Sequence, residues 1–290
     1  AERVSPDYPA WLKKRIPAGA SAARVREVLS GLRLNTVCGS AQCPNIAECF
    51  HSDTATFLIM GPNCTRSCSF CAVEKGPAAA LDATEPERVA KAAGLLGLRY
   101  VVVTSVTRDD VADGGAAHFA ATIAAIKREC DAAVEVLTSD FGGSGACVET
   151  VLAAGPDVFN HNVETVPRLY PSVRPQADYA RSLGVLESAA GDCPAGRERP
   201  VTKSGLMVGL GETPDEIEAV FADLRAAGVG IVTVGQYLRP SAMHIAVARY
   251  VTPEEFKRLE RRALEMGFRA AFCGPFVRSS YHAGEIFSGS

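Results

Sequence analysis

The stretch Cys64-Thr65-Arg66-Ser67-Cys68-Ser69-Phe70-Cys71 sets three thiols in a C-x3-C-x2-C loop. A structural zinc site takes four protein ligands and tends to pair two C-x2-C knuckles, whereas three cysteines leave one iron of a cubane iron–sulfur cluster without a thiolate. That open iron can take a small chelating ligand. A second triplet lies upstream, Cys38, Cys43 and Cys49, with C-x4-C-x5-C spacing. It too is one ligand short of a cubane. By spacing alone it admits a second cluster, a zinc completed from elsewhere, or three unligated thiols. The missing ligand could come from any of the five histidines, from a scattered cysteine such as Cys273, or from an oxygen donor. A chain of 290 residues buries enough core to need no disulfide staples, so reduced thiols and an intracellular setting are expected. The formal sequon Asn63-Cys64-Thr65 is dismissed on that ground. Cys130, Cys147, Cys193 and Cys273 are expected to pack as small hydrophobes.

Such a loop needs a scaffold, and the rhythm of the chain supplies one. Apolar, β-rich runs occur at 54–60, 100–106, 134–138, 158–163, 204–208 and 231–236. Helix-like segments lie between and after them at 85–96, 116–129, 148–154, 176–189, 214–227 and 253–265. Strands alternating with helices of ten or so residues predict βαβ units and a parallel sheet. The fold expected is α/β, an incomplete (β/α)6 TIM-type barrel, with a doubly wound open sheet as runner-up. In either case the carboxyl ends of the strands carry the site. Residues 1–53 read as an N-terminal extension carrying the first cysteine triplet, 54–267 as the partial barrel, and 268–290 as a C-terminal extension. Hydrophobic residues at 47% and charged residues at 22% exclude global disorder and coiled coil. No apolar run reaches the roughly 18 residues of a membrane span. A net charge of -3 gives no general field for nucleic acid.

The three-cysteine loop, with aromatic Phe70 before its last cysteine, resembles that of the radical S-adenosylmethionine (SAM) enzymes. The resemblance implies a 4Fe-4S cluster on Cys64, Cys68 and Cys71. Its open iron would take the amino and carboxylate groups of SAM, and one electron would then release a 5′-deoxyadenosyl radical able to abstract hydrogen from unactivated carbon. Over nearly its whole length the chain is similar to the lipoyl synthase family. The segments that carry this are 44–49, 56–73, Thr104-Ser105-Val106-Thr107-Arg108-Asp109-Asp110, 113–116, 160–165, 202–213, 235–238 and Val277-Arg278-Ser279-Ser280-Tyr281. In that family a serine of the C-terminal motif completes the auxiliary cluster. The resemblance therefore puts Cys38, Cys43, Cys49 and Ser279 on a second 4Fe-4S cluster, with Ser280 the alternative, and sets Arg278 beside Ser279 as catalytic. It departs from the family pattern at Ser139 and Ala246, where proline is expected; neither is a proposed ligand.

What the resemblance implies for function is sulfur insertion at C6 and C8 of an octanoyl chain held on a lysine of a carrier protein, with sulfur donated by the auxiliary cluster. The carriers expected are lipoyl domains of 2-oxo acid dehydrogenase E2 subunits and the glycine cleavage H protein. Flavodoxin or ferredoxin would supply electrons, and an iron–sulfur carrier would rebuild the consumed cluster. The chain is expected to be a monomer, cytoplasmic if bacterial or in an organelle matrix or stroma otherwise, with no nucleic acid and no membrane partner.

SAM also needs groups for its carboxylate, amine, ribose and adenine. Thr104, Asn162, Glu164, Arg181 and Lys203 are the candidates near strand ends, although each type is more often a solvated group or turn former. The turn Gly209-Leu210-Gly211-Glu212-Thr213-Pro214 lacks the third glycine of a dinucleotide fingerprint, so it reads as a βα turn with Thr213 capping a helix. His161 and His244 read as structural, because hydrogen abstraction by a carbon radical needs no acid or base. Lys13-Lys14-Arg15, Lys257-Arg258 and Arg261-Arg262 are either solvated faces or a docking patch for an acidic carrier. Two other readings compete. RNA methylthiolation would call for a basic RNA-binding domain, and an iron–sulfur electron carrier would bind no SAM.

Overall fold

The computed structural model describes residues 8–13, 20–40, 45, 56–191 and 199–280, with backbone alone at 20–22, 38 and 39. Among the described residues, eight strands form one sheet in sequence order. They are β1 (Asn35–Thr36), β2 (Thr56–Ile59), β3 (Tyr100–Ser105), β4 (Ala133–Leu137), β5 (Val158–Asn160), β6 (Val201–Val208), β7 (Ile231–Gln236) and β8 (Ala270–Gly274). The short β1 runs antiparallel to β2, and every later pairing is parallel. A doubly wound sheet reverses its strand order at a switch point. This order never reverses, and β1 does not pair with β8. The sheet is thus an unclosed, TIM-type partial barrel.

The helices are α1 (Ala20–Gly31), α2 (Val37–Ser40), α3 (Glu85–Leu96), α4 (Ala116–Glu129), α5 (Gly145–Ala153), α6 (Tyr170–Val173), α7 (Tyr179–Ala190), α8 (Pro214–Ala226) and α9 (Pro253–Glu265). Their starts are written locally. Thr213 and Thr252 each cap a helix that opens on proline, and each forms a reciprocal capping box with the glutamate three residues on. Such a cap stabilises by about 1 kcal/mol.

Two features depart from the expected organisation. The sheet continues into β8, inside the segment set apart as a C-terminal extension, so seven parallel strands stand where six were expected. The short run Ala270-Ala271-Phe272-Cys273-Gly274 follows a helix without a strong β signal, and it is recruited by pairing along the whole of β7. Likewise β1, from the N-terminal segment, closes the free edge of β2.

Strands β2 to β7 are buried on both faces, as parallel strands covered by helices must be, whereas β8 at the edge is mostly half-buried. One apolar cluster joins β2 to β5 with α3, α4 and α5, and a second joins β6 to β8 with α8 and α9. Between these layers, inside the barrel, sits a polar knot. Lys203 donates to both oxygens of Glu135 at 3.0 Å, while Tyr100 Oη and Asn160 Nδ2 donate to the same carboxylate at 2.7 and 2.9 Å.

Candidate functional site

The loop that follows β2 is laid against its neighbours by backbone bonds. Cys64 N donates to Glu74 O at 2.8 Å, Gly76 N to Cys64 O at 3.1 Å, and Ser69 N to Val173 O at 2.9 Å. The Cys64 sulfur accepts from two amides, Arg66 N at 3.5 Å and Thr107 N at 3.4 Å. Phe70 packs with Val173, Leu210 and Tyr237. His244 clasps the far end, its Nε2–H donating to Cys71 O at 3.2 Å while Ser241 Oγ donates to Nδ1 at 2.9 Å.

All three cysteines line one cavity of about 660 Å³ at the carboxyl ends of the strands. Burial pushes the Cys68 thiol up, and pushes Cys71 up to about 12. The neighbouring cysteines push both further, a sign that the three sulfurs share one neighbourhood. Thiols so placed ionise only when a cation stabilises the thiolate. Among the described residues no three His, Cys, Asp or Glu side chains are gathered around a single metal ion.

Residues lining the same cavity bury polar atoms that have no partner among the described residues. They are Ser105 Oγ, Thr138 Oγ1, His161 Nε2 and Arg174 Nε. Buried polar groups left unpaired cost about 1–3 kcal/mol each, so a cluster of them around one cavity marks a place built for a polar ligand. Because the Thr138 carbonyl can only accept, His161 Nδ1 carries the proton at 2.9 Å from it and Nε2 is left as an unpartnered acceptor. Burial, with Arg174 nearby, holds His161 down to about 4, so it is neutral at pH 7. Arg174 spends Nη1 on the carbonyls of Asn162 and Val163 at 2.9 and 3.1 Å. Burial pushes Glu164 up, opposed by Arg174, by the bond from Asn162 and by Arg278.

Ser279 reaches this cavity from the far end of the chain. Its Oγ donates to Asn162 Oδ1 at 3.0 Å and accepts from Asn162 Nδ2 at 2.7 Å, and the same Nδ2 donates to Glu164 Oε1 at 3.1 Å. Two strand glycines permit the approach. A Cβ on Gly205 would lie 2.5 Å from Thr233 Oγ1 and 3.1 Å from Ser279 Oγ, and one on Gly235 would lie 2.2 Å from Val277 O. Asn45, between the cysteines of the upstream triplet, is buried in the same cavity wall and donates to Phe276 O at 2.7 Å. Val37 lines the wall as well. The Cys38 side chain, Cys43, Cys49 and Tyr281 lie outside the described residues.

Of the residues expected at the site, Cys64, Cys68, Cys71, Thr104, Asn162, Glu164, Arg278, Ser279 and Ser280 meet in this cavity. Lys203 and Arg181 do not, and they are corrected here. Lys203 is 1% exposed with its ammonium consumed by Glu135, and Arg181 lies outside the cavity wall, 3.4 Å from Asp140. Arg66, Arg174 and the unpartnered nitrogen of His161, all on residues that line the cavity, were not singled out by the sequence. Arg66 stands within the cysteine motif itself, whereas nothing in the sequence around Arg174 distinguishes it from a surface arginine.

The profile of the Radical SAM superfamily matches residues 58–224, and that of the N-terminal domain of lipoyl synthase of the radical SAM family matches residues 2–43. The chain is 55% identical to lipoyl synthase of Rubrobacter xylanophilus, over 98% of this chain and 88% of that protein. It is 56% identical to lipoyl synthase of Caldanaerobacter subterraneus subsp. tengcongensis, over 95% of each. Among solved structures, the [FeFe]-hydrogenase maturase HydG matches with a TM-score of 0.58 at 15% identity, over 79% of this chain and 53% of that one. Streptococcus suis SuiB bound to its precursor peptide matches with a TM-score of 0.57 at 10% identity, over 79% and 52%. At these identities the structures speak for the fold alone.

Proposed function

This chain belongs to the lipoyl synthase family of radical SAM enzymes, and from that premise we propose how its own residues divide the work. Bound 4Fe-4S clusters supply the reductive cleavage of SAM, the radical that removes hydrogen from C6 and C8 of an octanoyl chain, and the sulfur that replaces it. Cys64, Cys68 and Cys71 hold the first cluster. Cys38, Cys43, Cys49 and Ser279 hold the second.

SAM is gripped by the atoms that have no partner of their own. Arg174, whose Nε is free, offers a cation for the carboxylate, and His161 Nε2 offers an acceptor for a hydroxyl or amine. Ser105, Thr138 and Glu164 complete the polar wall, while Leu137, Leu206 and Met207 give apolar surface for a hydrocarbon chain. Asn162 braces Ser279 through both atoms of its amide. A serine oxygen is a harder donor than thiolate and leaves iron more readily on protonation, which suits a cluster that must be dismantled. Arg278 lines the wall beside Ser279, near Glu164. The substrates are octanoylated lipoyl domains of E2 subunits and the H protein, with flavodoxin or ferredoxin as reductant and an iron–sulfur carrier for rebuilding. No described helix is long and apolar enough to cross a membrane, and a cytoplasmic setting fits the bacterial relatives.

The observation that carries this reading is the meeting of the cysteine loop, the unpartnered polar atoms and Ser279 in one cavity. The deciding experiment is iron and sulfide analysis after anaerobic reconstitution. Two cubanes give about eight irons per chain, and removing either cysteine triplet leaves about four. If all iron disappears with Cys64, Cys68 and Cys71, the upstream triplet carries no cluster and the sulfur source is lost. Loss of sulfur insertion with retained SAM cleavage in Ser279→Ala supports the serine ligand; full activity in Ser279→Cys removes its special role.

A further inference from the structure

The three residues between the first two cysteines are each fastened to a different part of the barrel. Thr65 is tied to the segment after β3: its amide and hydroxyl both donate to Thr107 O, at 3.1 and 2.9 Å, and its hydroxyl accepts from Asp109 N at 3.1 Å. Ser67 N and Oγ donate to Gln176 Oε1, ahead of α7, at 2.6 and 3.0 Å. Between them Arg66, 6% exposed, spans two segments at once. Its Nε and Nη2 meet the two oxygens of Asp109 at 2.8 Å each, and its Nη1 and Nη2 meet those of Asp140, beyond β4, at 2.9 and 2.7 Å. Asp140 is fully buried and also accepts from Gly142 N at 3.1 Å. Among the bonds Arg66 makes, only its amide N–H reaches a sulfur, Cys64 Sγ at 3.5 Å.

We propose that Arg66 is a positioning residue: its paired bridges to Asp109 and Asp140 hold the 64–71 loop in ligating shape before any iron arrives. A guanidinium presents its donors in a rigid planar fork that can serve two carboxylates simultaneously, which the point charge of a lysine cannot do. The loop is therefore shaped by its spacers, and the cysteines inherit their positions from them. An ordered loop loses less conformational entropy on taking up a cluster than a floppy one, so the clamp strengthens cluster retention as well as geometry. This rests on the assignment of a cluster to Cys64, Cys68 and Cys71.

The test uses the full chain, with Arg66→Lys and Asp140→Asn beside Arg128→Ala, which breaks an exposed pair elsewhere. Hydrogen exchange on the cluster-free protein is expected to show protected amides at residues 64–69, with protection lost in that stretch alone in Arg66→Lys. After reconstitution, a chelator should strip iron from Arg66→Lys on the order of tenfold faster, as for other groups that orient metal ligands. The reduced cluster's electron paramagnetic resonance lines should shift or broaden. Unprotected amides in the cluster-free wild type overturn the proposal. So does protection lost evenly across the barrel with unchanged resonance lines, which would make Arg66 a general stabiliser. A wild-type loop that binds no cluster would defeat the functional reading, while exchange on the cluster-free chain would still decide the clamp.

Discussion

Two polar groups of residues lie inside this barrel, and they differ in how completely they are paired. In the lower one, Tyr100, Asn160 and Lys203 all converge on Glu135, and both carboxylate oxygens are used, which leaves Asn160 Oδ1 as the buried atom without a partner among the described residues. In the upper one, at the strands' carboxyl ends, four residues that line the cavity each bury a polar atom without a partner among the described residues: Ser105 Oγ, Thr138 Oγ1, His161 Nε2 and Arg174 Nε. Both are buried and both contain a cation. A buried ammonium and carboxylate that satisfy each other act as an internal strut, whereas polar atoms left without partners offset the cost of burial only when a ligand completes them. Lys203 is thereby tied up in the barrel, away from the cavity wall, while Arg174 lines it.

The largest effect expected is on chemistry with little on folding: Cys68→Ala should abolish reductive SAM cleavage and halve the iron bound, with the thermal midpoint of the cluster-free protein nearly unchanged. Activity surviving this change would place the chemistry elsewhere. Next comes the strut. Lys203→Met leaves the Glu135 charge uncompensated in the barrel and should cost about 3–5 kcal/mol in urea unfolding, while the folded protein keeps its affinity for SAM. Weakened SAM binding at unchanged stability would erase the contrast between the two regions. Arg174→Met should do the reverse, weakening SAM by roughly 10- to 100-fold, the equivalent of a hydrogen bond to a charged group, as read by calorimetry.

The remaining effect is a pH slope, small at any one pH. The folded-state pKa of His161 lies near 4, below its ordinary 6.5, so the unfolded chain binds the extra proton between these values. Stability from the neutral ring is then complete above about pH 6.5, declines as pH falls toward 4, and levels off below it. The slope is at most about 1.4 kcal/mol per pH unit. Arg174 and Arg66 oppose the ring's protonation and Asp140 favours it. His161→Asn should flatten unfolding free energy in that window relative to wild type, and an unchanged profile would mean the ring is not the group titrating.

Much of the architecture was legible along the chain because its signals are local. Strand and helix alternation from β2 to α9 follows from apolar runs and capping residues, and Thr213 and Thr252 announce their helices within a few positions. The two-residue β1 and the weakly marked β8 were not legible, since each exists by pairing with a partner far off in sequence. The site divides the same way. C-x3-C-x2-C spacing names the ligands, and the Ser279 motif was recognisable as a motif, yet its contact with Asn162 spans 117 residues.

The sequence by itself determined the βα rhythm, the cysteine loop at a strand end and the family to which the chain belongs, because each is written in residues close together. Tertiary structure alone decided that Lys203 is a strut and Arg174 faces the cavity, that Arg66 fastens the loop to two strand ends, and that Ser279 stands beside Asn162. The physical reason is that a charged or polar side chain acquires its role from its partners, and those partners are assembled only when the sheet forms.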